Sequence, residues 1–193
     1  MISTRYANDY RMDYEKDENG RGRTKLVYVG PLYQFNTEKS NAFQKWGQAA
    51  GLLALLWVVW IGCAFLEQGL MHSVFVSIPY ILIGIPLLYL TSGLYHLRRS
   101  RYPFEKMHKE HSVDRFKPCC LMSIICCGIV IAGAVQRYAV MEAGARSVWN
   151  LFFIAGMAIF IAGTVIILKI SQWFTVHEID NPNARLKQFG SMG

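Results

Sequence analysis

The residues with the widest chemical repertoire in this chain are its five cysteines and five histidines. Cys119, Cys120, Cys126 and Cys127 form two adjacent pairs seven residues apart. Seven residues are about two helical turns, so Cys119 shares a face with Cys126, and Cys120 with Cys127. Thiolates at that spacing have the softness to bind copper(I) or zinc. Three facts weigh against it. Adjacent cysteines are not the Cys-x-x-Cys redox motif. The first pair falls at the end of its apolar stretch that the charge pattern below assigns to the reducing cytoplasm, where disulfides rarely persist. Free cysteine also packs well as a small apolar side chain. These four, and Cys63, are therefore read as packing residues. His108 and His111 lie three apart on one helical face, with His96 upstream. Together with Cys119 or Cys120 they would supply four ligands, but not at the spacings of a zinc motif. No nucleophile–base pattern, phosphate loop, His-Glu-x-x-His or paired intramembrane carboxylate is present. The sequence thus assigns no catalytic, cofactor-binding or metal residue and no cofactor, and it favours a protein that is not an enzyme.

A second group has spacing rather than reactivity. Pro79, Gly84 and Pro86, with Ser77, Tyr80 and Thr91, interrupt one apolar run. Gly/Pro-interrupted spans occur at transporter binding sites. Transporters also keep ionisable groups in the membrane, and the interior of this run has none. Gly47 with Gly51, and Gly128 with Ala132, make small-x-x-x-small pairs, and Ile154-Ala155-Gly156 recurs one heptad later as Ile161-Ala162-Gly163. Such stripes predict close helix contacts. The indole N–H groups of Trp57 and Trp60 need partners, which predicts that their face of the first run meets protein.

The elements that must position these residues are four apolar runs, at 46–66, 72–95, 118–136 and 147–170. A helix needs about 20 apolar residues to cross a hydrocarbon core. None of the runs holds Asp, Glu, Lys or Arg except Lys169 near the end of the fourth. The apolar fraction of 53% exceeds the roughly 45–50% of soluble proteins. The expected fold is an all-α integral membrane protein, a four-transmembrane-helix bundle with a small cytoplasmic N-terminal β-hairpin. Three regions follow: a cytoplasmic segment 1–45, a transmembrane domain 46–170 and a cytoplasmic tail 171–193. The polar N-terminal region predicts no cleavable signal peptide, and neither end carries a lipidation motif.

Of the 20 Lys and Arg residues, eight precede the first run, seven lie between the second and third (Arg98, Arg99, Arg101, Lys106, Lys109, Arg115, Lys117), and Lys169, Arg185 and Lys187 are C-terminal. Only Arg137 and Arg146 fall on the other side. The positive-inside rule then predicts both termini in the cytoplasm, and the compact form of the chain suggests a bacterial plasma membrane as the expected location. The net charge of +7 follows this anchoring pattern, so no nucleic-acid partner is expected.

The N-terminal segment has a pattern of its own. Tyr10, Met12 and Tyr14 alternate with Arg11, Asp13 and Glu15, and a second β-prone stretch runs from Lys25 to Val29. With Asn19-Gly20 between them, they predict a hairpin over about 10–29 that pairs Tyr10–Lys16 with Arg23–Val29. Thr37 or Ser40 is expected to cap the first long helix, and 103–117 to form an amphipathic helix against the membrane. The functional expectation is a non-enzymatic accessory or regulatory subunit of a membrane complex. Its partners would be the bilayer, a protein bound through residues 1–35, and further copies of the chain. A small transporter or channel is the alternative, and a Cys/His-based metal or redox protein the second alternative.

Overall fold

The computed structural model describes residues 4–16, 22–35, 39–66, 69–99, 103–141, 147–174 and 176–182. The chain is mostly helical. Helix α1 is Lys39–Phe65, α2 Val74–Leu82, α3 Gly84–Arg99, α4 Lys106–His111, α5 Val113–Val140 and α6 Val148–Ser171. Four helical stretches are long and apolar enough to cross a membrane: Gln44–Phe65, Val74–Arg98, Lys106–Val140 and Val148–Ser171. The shortest, at 22 residues, spans about 33 Å at 1.5 Å per residue.

Local chemistry explains where these helices are interrupted and where they start. Pro79 and Pro86 lack the N–H groups that would bond the carbonyls of Phe75 and Leu82. The regular helical hydrogen bonding is therefore interrupted at Ile83, between α2 and α3. Ile83 keeps helical angles (φ −58°, ψ −30°). Its N–H is shared between the carbonyls of Pro79 (3.2 Å) and Tyr80 (3.3 Å). Pro118, expected to open the third span, lies inside α5, which begins at Val113. There it costs one bond, to Asp114, within the first turns. Ser147 caps α6 through its Oγ, which accepts from the Trp149 N–H at 3.3 Å. Ser40 lies within α1 rather than at its cap, and Thr37 falls outside the described residues.

The four stretches pack as a ring: α6 against α1 and α5, α5 against α2 and α3, and α3 back against α1. Leu56, Ile83, Leu87, Cys120, Val130, Phe153, Met157 and Phe160 fill the interior, each 1% exposed or less. The outside is apolar too, with Leu55, Val58, Ile61, Ile78, Ile81, Leu88, Ile125, Phe152 and Ile159 exposed. A helix apolar on every face is what a bundle surrounded by hydrocarbon needs.

Glycines set the closest approaches, though not all those expected. A Cβ on Gly156 would sit 2.5 Å from Cys63 Sγ, and one on Gly163 2.8 Å from Leu56 Cδ2. The Ile-Ala-Gly repeat is therefore the antiparallel seam between α6 and α1, one heptad per contact. Gly47, Gly51 and Gly128 have nothing within 4 Å of a Cβ. The small-residue pairs built on them face outward, and no side chain among the described residues packs over these glycines.

One end of the bundle carries two sheets. Strands β1 (Tyr10–Lys16) and β2 (Gly22–Tyr28) form an antiparallel hairpin, with Tyr10 opposite Tyr28 and Lys16 opposite Gly22. The register differs by one residue from the expected one, since a turn of Asn19-Gly20 alone would set Lys16 opposite Arg23. The turn itself lies outside the described residues. A second sheet, absent from the sequence expectation, corrects the all-α reading: β3 (Leu32–Phe35) lies between β4 (Phe104–Glu105) and β5 (Val176–Ile179), antiparallel to both. The amphipathic helix expected over 103–117 is thus a strand, the short α4 and the first turn of α5. Its Phe104 and Phe116 are buried within the protein. Strands of two to four residues drawn from three distant segments leave no period-2 pattern to read.

Candidate functional site: the capped end of the bundle

Three tryptophans of α1 bond across to α2 and α3. Trp46 Nε1 donates to the Leu94 carbonyl (2.9 Å), Trp57 Nε1 to Thr91 Oγ1 (3.0 Å) and Trp60 Nε1 to the Tyr80 carbonyl (3.1 Å). Tyr80 returns the last bond, its hydroxyl donating to the Trp60 carbonyl. The two rings stack at 5.8 Å, and the Trp60 ring covers Gly84, 3.2 Å from a Cβ there. The Trp60 indole thus packs against the proline-interrupted stretch at Tyr80 and Gly84.

Three of the four cysteines of α5 are buried, so burial does not separate the two seven-residue pairs. Cys120 and Cys127 are fully buried on one face of α5, with Ser123 between them, and Cys126 is also buried. Cys119 is half-buried, and none of the five forms a disulfide. His96, His108 and His111 do converge, with ring centroids 6.4 Å (His96–His108) and 6.2 Å (His96–His111) apart. Among the described residues, no three His, Cys, Asp or Glu side chains are placed to hold one metal ion.

The histidines lie beneath a cap of tyrosines. Tyr6, in the 3-10 turn Thr4–Asp9, is buried against the His111 ring and donates to Glu110 Oε2 at 2.7 Å. Tyr10 donates to Glu105 Oε2. Tyr28 stacks edge-on against Tyr10, receives the Lys106 N–H at 3.1 Å and donates to the Pro31 carbonyl at 2.9 Å. Burial first, then the Glu105 carboxylate, pushes the Tyr10 hydroxyl well above the usual phenol range. Burial pushes Tyr28 up to about 12. Both phenols are thereby kept neutral, as donors must be. Asn181 locks the base of the hairpin, its Nδ2 donating to the carbonyls of Tyr28 (3.1 Å) and Gly30 (2.7 Å). Gly30 is required there, because a Cβ would meet the Tyr28 hydroxyl at 2.6 Å and Asp9 Cβ at 2.9 Å. Phe35, Phe104, Phe116 and Phe174 fill the space between the second sheet and the helices. The hairpin is thus fastened at its base to the 96–117 loop, rather than standing clear of it.

Beyond that base the hairpin is two-faced. One face sets Asp13 opposite Lys25, an oppositely charged pair, and Arg11 opposite Val27. The other sets Tyr10 opposite Tyr28 and Met12 opposite Leu26. The first pair is docked on the bundle. Met12 (79% exposed), Tyr14 (66%) and Leu26 (48%) are not. Sequence reading found the hairpin and its apolar alternation but missed the anchors Tyr6, Tyr28 and Asn181. Their partners lie up to 153 residues away, and no local pattern encodes them. Comparison with known proteins gives no matching family model, curated protein or solved structure.

Proposed function

We propose that this chain is an integral membrane protein with four spans, both ends in the cytoplasm, acting as a non-enzymatic docking subunit of a membrane complex. The all-round apolar exterior supports the membrane setting. The crowding of basic residues at the sheet end supports its cytoplasmic orientation. The observation that carries the docking role is the hairpin, held rigid at its base while Met12, Tyr14 and Leu26 stand uncovered. The occupant is a protein surface with a complementary apolar strip. Each strand of the hairpin keeps an outer edge to which a partner strand can add.

Deleting residues 1–35 would also remove β3, the centre of the second sheet, so the cleaner perturbation is Met12→Asp with Leu26→Asp. The account expects the variant to insert normally while the particle extracted in mild detergent shrinks to the chain alone. An unchanged particle size sinks the docking role. An external readout from a reporter fused at Lys109 overturns the orientation.

A further inference from the structure

We infer that the groove between α1 and α3 at the sheet end is a binding site for one anionic glycerophospholipid, with an acyl chain in the groove and the phosphate at Arg98. The inference rests on the membrane reading above. The groove encloses about 270 Å³ and is lined by Trp46, Ala50, Ala54, Trp57, Tyr95 and Arg98 among others. Trp46 and Trp57 are each hydrogen-bonded across to α3, so both indoles are fixed as its walls. Between them α1 presents Ala50 and Ala54, whose small side chains leave the space open. Apart from Thr91, whose hydroxyl is bonded to Trp57 and the Leu87 carbonyl, the lining is aromatic and aliphatic, and Arg98 at the sheet end is its cation. There the Arg98 guanidinium lies 5.1 Å from the centre of the Trp46 ring.

That gradient matches one kind of occupant. Val58 and Leu88, one turn from Ala54 and Thr91, are exposed and apolar, so in a bilayer this part of the groove opens onto acyl chains. Trp46, Tyr95 and Arg98 then lie at headgroup depth, where aromatic and cationic anchors belong. A guanidinium pairs with phosphate through two parallel N–H bonds. A zwitterionic headgroup brings its own cation to that phosphate, whereas an anionic one leaves it for Arg98. A bare phosphate would leave the apolar groove empty, and an uncharged lipid would leave Arg98 unpaired.

The test uses the full chain carrying Trp149→Phe, which removes an exposed indole at the far end. The chain is reconstituted into phosphatidylcholine vesicles doped with either phosphatidylglycerol or phosphatidylcholine brominated on the acyl chains. Bromine quenches tryptophan on contact. The site predicts at least twofold stronger quenching by the brominated phosphatidylglycerol at low mole fraction. Ala54→Leu, which fills the groove from an exposed position, should abolish the difference, and Arg98→Gln should remove the preference while leaving protein incorporation unchanged. Equal quenching by both lipids, or a preference untouched by both variants, means general lipid contact only and overturns the inference. Vesicle flotation separates the two levels of failure. A chain that floats but shows no preference refutes the lipid site alone, and a chain that does not float refutes the membrane reading and the site with it.

Discussion

Replacing Gly163 and Gly51 with leucine should have opposite effects, although both are helical glycines in apolar runs. Helix propensity alone favours the change at either position by about 0.8–1 kcal/mol. At Gly51 nothing lies within 4 Å of the new Cβ, so Gly51→Leu should be neutral or stabilising by up to about 1 kcal/mol. At Gly163 the first added carbon would already be 2.8 Å from Leu56 Cδ2. Leu56 is 1% exposed and has no room to swing away. Overpacking of this kind costs about 1–3 kcal/mol, and three further carbons put Gly163→Leu at or above the upper end of that range. The seam also predicts a rescue. Leu56→Ala alone opens a cavity worth about 2–5 kcal/mol, yet Leu56→Ala with Gly163→Leu moves the bulk from α1 to α6. The double variant should recover at least about 1 kcal/mol relative to the sum of its parts. Unfolding in mixed micelles, titrated with sodium dodecyl sulfate and followed by tryptophan fluorescence, reads all four proteins. Equal losses at the two glycines, or a double variant additive to within about 0.5 kcal/mol, would refute the packing described for α1 and α6.

Trp60→Phe and Tyr80→Phe should each cost about 0.6 kcal/mol, up to about 1.7, in the same unfolding assay. Their costs should not simply add, because the two rings also stack on one another, and side chains in contact couple. Asn181→Ala strips two carbonyls of their donor and should weaken hairpin docking by about 1–3 kcal/mol, visible as faster amide exchange in β2 with the helices unaffected. Tyr28 ionises near 10 when free and near 12 when docked. Its contribution to docking is therefore complete below pH 10 and fades as the pH rises toward 12. Protease cleavage of the hairpin should rise across that window, and a flat profile would remove Tyr28 from the anchor.

The four long apolar helices were legible because a run of some 20 apolar residues has few other readings. The hairpin was legible because Tyr10, Met12 and Tyr14 alternate against charged neighbours. Contact partners were harder to read. Gly51 and Gly163 sit in equivalent small-residue stripes, and only the packed neighbour, Leu56 or none, tells them apart. Pro118 looked like a helix start because the apolar run begins there. The helix begins at Val113 instead, since proline near a first turn forfeits little. The second sheet was invisible because β4 is two residues long and β3 finds its partners 70 or more residues downstream. The tyrosine cap escaped for the same reason: a phenol bonded to Glu105 or Glu110 looks locally like any surface tyrosine.

The docking role is tested most directly by placing a photo-crosslinking residue, in living cells, at Met12 or Leu26 on the apolar face and at Arg11 or Lys25 on the charged face. The account predicts one discrete protein adduct from positions 12 and 26, little from 11 and 25, and loss of the adduct when Tyr14→Asp is added. Adducts only to lipid, or equal capture from both faces, would contradict it.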